Sequence, residues 1–152
     1  NYEWETPDHI YGPLEKEFNI KFDVCATLGN RKTTKFYDKQ VNGLMKEWSR
    51  EADVVWMNPP YGNEVGKWVR KAYEETRSGV TTIALLPART DTAWFHNYIL
   101  GKHEIRFLKG RIKFKEAKAS APFPSMVVVF KPTESKTIKK WLGYLKFLKV
   151  IN

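Results

Sequence analysis

Val54-Val55-Trp56-Met57-Asn58-Pro59-Pro60-Tyr61 carries four apolar residues straight into an amide side chain, two prolines and an aromatic ring. An unbroken apolar run ending at a turn signal suits a strand buried on both faces, and proline, which has no N–H to donate, must end its ladder. Residues just past such a strand lie at the carboxyl edge of the sheet, where open parallel sheets bind their ligands.

Working outward, the pattern alternates. Val65, Trp68, Val69, Ala72 and Tyr73 recur at helical spacing and predict a helix over about 63–77. Thr81 to Leu86 reads as a strand stopped by Pro87, after which Thr90 or Asp91 is expected to cap a helix carrying Trp94, Phe95 and Ile99. Glu104 to Leu108 and Met126 to Phe130 follow as strands with no helix between them. Upstream, Phe22-Asp23-Val24-Cys25-Ala26 suits a buried strand ending in a loop, and Thr6-Pro7 suits an N-cap and first helical residue for a helix of about 7–18. Strands alternating with helices argue for an α/β domain with a largely parallel sheet, helices on both faces and an antiparallel edge pair. Only about 26 residues separate the strand at Asp23 from that at Val54, too few for two full strand–helix units, so the sheet must be abridged.

The chain has 152 residues, enough for one compact domain, taken as 1–132. Beyond it, Ile138, Trp141, Leu142, Leu145 and Leu148 keep helical spacing among lysines, which predicts a basic amphipathic helix over 133–152. Its apolar face would pack on the same domain or on a second subunit, making a homodimer, or the helix would contact DNA. A net charge of +9 favours a polyanionic partner, nucleic acid first. One cysteine excludes an internal disulfide, and with three scattered histidines it leaves no metal-ligand spacing. No apolar run is long enough to span a bilayer and the N-terminus lacks a signal-peptide pattern, so a cytoplasmic protein is expected, with no membrane partner.

Asn58-Pro59-Pro60-Tyr61 has the chemistry needed to alkylate an amine conjugated to an aromatic ring. The lone pair of such an amine, adenine N6 for instance, is delocalised and weakly nucleophilic. The Asn58 side-chain oxygen and the Pro59 carbonyl can each accept one amine hydrogen, and the two prolines hold these acceptors still. Tyr61 offers a stacking face for a base swung out of the duplex. Asp23, at the end of the neighbouring strand, can receive the ammonium of a small cofactor while Cys25 and Ala26 leave it room; the alternative is a turn-capping aspartate. Arg89 follows another strand end and suits a phosphate contact or a surface ion pair. Lys109, Arg111 and Lys113 lie in a basic connection suited to phosphates, or simply to solvent.

These segments together resemble the phage-type DNA N6-adenine methyltransferase family. The likeness runs over about 4–132: Trp4-Glu5-Thr6-Pro7, the Phe22 to Ala26 strand, Gly43-Leu44 with Trp48, Asn58-Pro59-Pro60-Tyr61-Gly62, Leu86 to Thr92 with Trp94-Phe95, and Gly110 to Phe114. The resemblance implies an abridged Rossmann-like methyltransferase domain that uses S-adenosylmethionine and acts on DNA. By it Thr6 and Pro7 would touch the methionine portion of the cofactor, Asp23, Cys25, Ala26 and Asn58 would line its strand-end site, and Asn58 to Tyr61 would hold the adenine. The chain departs from the pattern where Ala26-Thr27-Leu28-Gly29 replaces a glycine-rich loop and where Asn42 replaces an acidic residue before Gly43-Leu44; Asp38 is either a ribose partner or a loop aspartate. RNA adenine, a protein glutamine amide, or nucleic-acid binding without catalysis are the alternative functions.

Overall fold

A computed structural model describes residues 4–133. The expected C-terminal helix therefore lies, from residue 134 on, outside the described residues. In chain order the elements are α1 (Asp8–Phe18), β1 (Phe22–Asp23), β2 (Val54–Met57), α2 (Val65–Glu75), β3 (Thr81–Pro87), α3 (Ala93–Tyr98), β4 (Glu104–Phe107) and β5 (Ser125–Phe130). The sheet runs β1-β2-β3-β5-β4. β1, β2 and β3 are parallel, while β5 is antiparallel to both β3 and β4. The last two strands thus form the antiparallel edge expected of strands joined without a helix, with β5 inserted beside β3.

The apolar run of β2 is buried on both faces. Val55 and Met57 point into a core shared with α2 and α3, and Trp56 points into a second core beneath α1. The same alternation places Ala84, Leu86, Met126 and Val128 on the first side and Ile83, Leu85, Val127 and Val129 on the second. Helices therefore cover both faces, α1 on one and α2 with α3 on the other.

Several boundaries differ from the sequence reading, each for a local reason. β1 stops at Asp23 because the side-chain Oδ1 accepts the backbone N–H of Cys25 at 3.2 Å, turning the chain off the ladder. Thr6 does not cap α1: Pro7 holds the N-cap position, and its carbonyl accepts the N–H groups of Ile10 and Tyr11, both at 3.1 Å. Thr92, not Thr90 or Asp91, caps α3, its hydroxyl accepting the N–H of Phe95 at 3.4 Å. Thr90 and Asp91 are used instead in the turn that Thr92 closes by donating its N–H to the Arg89 carbonyl.

The link from β1 to β2 contains two single-turn 3-10 helices, Gly43–Met45 and Trp48–Arg50, and no α-helix. Trp48 is wholly buried, donates from Nε1 to the Gly43 carbonyl at 2.8 Å and stacks against Trp68 with ring centroids 6.4 Å apart. The backbone at Gly43 passes so close to β1 that a Cβ there would lie 2.2 Å from the Val24 carbonyl oxygen. Gly43→Ala is expected to lower stability by about 2 kcal/mol or more, because backbone must move. Gly12→Ala, in α1 with open space around it, should instead raise stability by up to about 1 kcal/mol. Urea midpoints of the two variants against the parent check both signs.

Candidate active site

Three chain segments meet at the carboxyl end of β2. The segment Trp4–Asp8 crosses over it, the loop after β1 flanks it, and Asn58-Pro59-Pro60-Tyr61 leaves it. The crossing segment is held by charge: Glu5 Oε1 accepts from Lys32 Nζ at 2.8 Å and from Lys115 Nζ at 2.7 Å, and Asp8 joins both lysines. The Lys115 N–H also donates to the Glu5 carbonyl. Only 5% of the Lys32 side chain is exposed, so these carboxylates, not water, are its main polar partners. Hydrogen bonds from the two lysines, Lys115 first, hold the Glu5 carboxyl below its usual range.

The Asn58 amide is fixed from both ends. Its Nδ2 donates to the Thr6 hydroxyl at 3.2 Å and to the Trp4 carbonyl at 3.4 Å, while its Oδ1 accepts from the Tyr61 hydroxyl at 3.1 Å. A carboxamide oxygen has two lone pairs, so one remains for another donor. The Tyr61 hydroxyl also reaches the Leu85 carbonyl at 3.3 Å, and burial pushes its pKa well up, keeping it protonated. Pro59 is buried, and its carbonyl receives no backbone N–H among the described residues.

Beside Tyr61 opens a cavity of about 350 Å³ lined by Trp4, Gly62, Arg89, Pro122 and Phe123 as well as Tyr61 itself. Its walls are aromatic: Tyr61 meets Phe123 edge-on at 5.2 Å, and Trp4 stacks on Phe114 at 5.6 Å. A planar heteroaromatic ring fits such walls.

The expected cofactor residues adjoin this site. Thr6 and Pro7 are buried in the crossing segment, and Ala26 is buried in the loop after β1. Asp23 is 2% exposed, and its oxygens accept the N–H groups of Cys25 and of Lys32, the latter at 3.0 Å. Burial raises its pKa to about 6, the two backbone hydrogen bonds acting against the rise. Burial, and then the neighbouring Asp23 charge, push the Cys25 thiol up. Asp38 Oδ1 accepts the Val41 N–H at 2.9 Å, and Asn42 Oδ1 accepts the Leu44 N–H at 3.3 Å; both side chains shape turns.

The four expected phosphate contacts separate into two places. Arg89 borders the aromatic cavity, whereas Lys109, Arg111 and Lys113 line a second cavity of about 510 Å³ between α1 and the end of β4. Along that segment Arg111 and Lys113 face outward while Ile112 and Phe114 are buried, a two-residue alternation that presents the charges as a row. The roles of Trp4 and Phe123 as cavity walls, and of Lys32 with Lys115 as the clamp, do not show in the sequence pattern. The prolines on either side of Phe123 signal a rigidly held aromatic, but nothing local marks Lys32.

An Asn-Pro-Pro-Tyr turn at the carboxyl end of a buried parallel strand, opening onto an aromatic cavity, places the chain among the amino-methyltransferases. It belongs to the DNA N-6-adenine-methyltransferase (Dam) family, whose model matches residues 1–143. It is 31% identical over 137 residues to the DNA N-6-adenine-methyltransferase of Haemophilus phage HP1, covering 85% of this chain and 78% of that one. It is 34% identical over 93 residues to the protein of the same name from Escherichia phage T1, covering 60% of this chain and 38% of that one. Among solved structures, the Type IIL restriction-modification enzyme MmeI in complex with DNA overlaps it at 16% identity and a TM-score of 0.45, over 82% of this chain and 21% of that one. Among the described residues no helix is long and apolar enough to cross a membrane.

Asp23 gives this site a pH signature. An acid whose pKa rises from 3.8 to about 6 on folding contributes stability that is present below 3.8 and lost as pH rises through about 6. Asp23→Asn removes that dependence and leaves only a constant offset from the missing acceptor. The difference in urea midpoint between parent and variant should therefore shift in the variant's favour as pH rises through that window and level off above it.

Proposed function

We propose that this protein transfers a methyl group from S-adenosylmethionine to N6 of adenine in DNA, by direct in-line displacement onto a base swung out of the duplex. The observation that carries the reading is the Asn58 amide, tied by its nitrogen to Trp4 and Thr6 so that its oxygen is turned to the hydroxyl of Tyr61, whose ring lines the aromatic cavity. Family membership and the names of the phage relatives support the same chemistry.

The strand-end residues fit the cofactor in size and in donor chemistry. Small side chains at Cys25 and Ala26 leave space, Asp23 supplies negative charge and Asn58 a carbonyl for an amino-acid end, and Thr6 and Pro7 bound the site while the Thr6 hydroxyl is engaged by Asn58. Asp23 would act through its charge and by shaping its loop, since the N–H groups of Cys25 and Lys32 already occupy it. When bound, the cofactor supplies an electrophilic methyl on a sulfonium. We read the sheet accordingly as an abridged Rossmann-like methyltransferase domain.

The chain's own part is to hold the amine. Asn58 Oδ1 and the Pro59 carbonyl accept the two N6 hydrogens, drawing the nitrogen toward a pyramidal geometry with its lone pair free. Tyr61, Trp4 and Phe123 enclose the ring and replace the stacking given up on leaving the duplex. No strong general base is needed, because nitrogen becomes acidic once alkylated and its proton can pass to solvent. Arg89 in the lining of the aromatic cavity and the row Lys109, Arg111 and Lys113 provide cations for the flanking phosphates.

Labelled S-adenosylmethionine incubated with unmethylated duplex DNA should yield N6-methyladenine by mass spectrometry, and Asn58→Ala should cut the rate by about 10²-fold or more. Label found only in RNA or on a glutamine amide, or DNA binding without any transfer, would overturn the reading. Replacing Lys109, Arg111 or Lys113 by Ala should raise KM for DNA with kcat little changed, and should flatten the log–log salt dependence by about 0.9 for each phosphate no longer neutralised.

A further inference from the structure

Thr6 belongs to the segment expected to touch the cofactor, yet its hydroxyl is directed elsewhere. It is 1% exposed, and its oxygen accepts from Asn58 Nδ2 across 52 residues of sequence. The Trp4 carbonyl receives the same nitrogen. A main-chain carbonyl can only accept, so the end of the amide that faces it must be the NH2 end. This fixes the orientation of a group whose two ends are nearly equal in shape and opposite in hydrogen bonding.

The orientation matters for the reaction. With Oδ1 on the side of Tyr61, whose ring lines the cavity, Asn58 can accept a hydrogen from an incoming amine. Turned by half a rotation, it would present N–H groups to N–H groups, and the same residue in the same place would repel the substrate. Tyr61 cannot secure the orientation alone, because its hydroxyl is shared with the Leu85 carbonyl and can accept as well as donate. The segment bearing Trp4 and Thr6 is itself pinned by Glu5 between Lys32 and Lys115.

We propose that Thr6, with the Trp4 carbonyl, is a positioning residue for catalysis: it acts through Asn58, locking the amide with its oxygen toward the substrate amine. The inference rests on the amine-methylating reading of the site. It assigns to the crossing segment a part in the chemical step that is separate from holding the cofactor.

Thr6→Val keeps shape and removes the acceptor, and Thr6→Ser keeps the acceptor. In the DNA methyl-transfer assay Thr6→Val should lose about 10-fold or more in kcat, with KM for DNA and for S-adenosylmethionine within about twofold of the parent, and Thr6→Ser should recover most of the rate. Unchanged kcat in Thr6→Val, or a loss confined to KM for the cofactor, overturns the proposal. If valine disturbs folding, as judged by circular dichroism and the urea midpoint, Thr6→Ala provides the same deletion without the bulk. A second readout needs no activity: the Asn58 side-chain NH2 resonances, assigned by their absence in Asn58→Ala, should be protected from solvent exchange in the parent and in Thr6→Ser and should lose that protection in Thr6→Val. Unaltered protection in Thr6→Val also overturns the lock. A parent that labels no DNA would refute the functional reading, while the exchange measurement would still decide the lock.

Discussion

Everything at the site depends on β2 being stopped where it is. Its four residues are buried between two cores, so the strand can shift neither along its axis nor about it without exposing Val55, Trp56 or Met57. Pro59 and Pro60 then forbid one more rung, and Asn58 is left at the carboxyl edge with its backbone position set by the sheet and its direction set by the prolines. A polar side chain placed this firmly can act as a preorganised acceptor, whereas the same residue on a mobile loop would have to be ordered at each encounter.

The second organising element is ionic. Glu5 and Asp8 on one segment, Lys32 on another and Lys115 on a third draw together parts of the chain with no secondary structure in common. Burying Lys32 is costly unless its partners remain, so the interaction acts as a requirement more than as a source of net stability. What it secures is geometry: with Glu5 anchored on either side, Trp4 and Thr6 lie across Asn58, and Trp4 also forms one wall of the aromatic cavity. The Lys32 N–H meanwhile binds Asp23, so the loop after β1 is tied into the same assembly.

The basic charge of the chain is not spread evenly over its ion pairs. Arg106 is bound by both oxygens of Glu17 and by Glu104, a structural tie between α1 and the edge strand. Arg89, Lys109, Arg111 and Lys113 have no ion-pair partner among the described residues, which is what the proposed phosphate contacts require. Arg89 lines the aromatic cavity, and the other three form a row over the α1 side of the sheet.

The amino-acid sequence by itself determined the mixed α/β class of fold and marked the motif at the centre of the candidate site, because both rest on local rules. Apolar runs ended by proline locate β2 and β3, helical spacing locates α2, and Asn58-Pro59-Pro60-Tyr61 is contiguous, so its donors, acceptors and ring can be read in order. The limits of β1 and α3 are less legible, since side chains such as Asp23 and Thr92 compete for backbone N–H groups at ranges that propensity does not weigh. The remainder was decided only by the tertiary structure. Asp23, which by sequence suits a cofactor acceptor or a turn cap, has both oxygens on backbone N–H groups; Thr6, which suits a helix cap, bonds to Asn58; and Lys32, ordinary in its own segment, pins the chain that carries Thr6. Interactions between residues tens of positions apart leave no periodicity to read, because they depend on how separate segments are brought together around one buried strand.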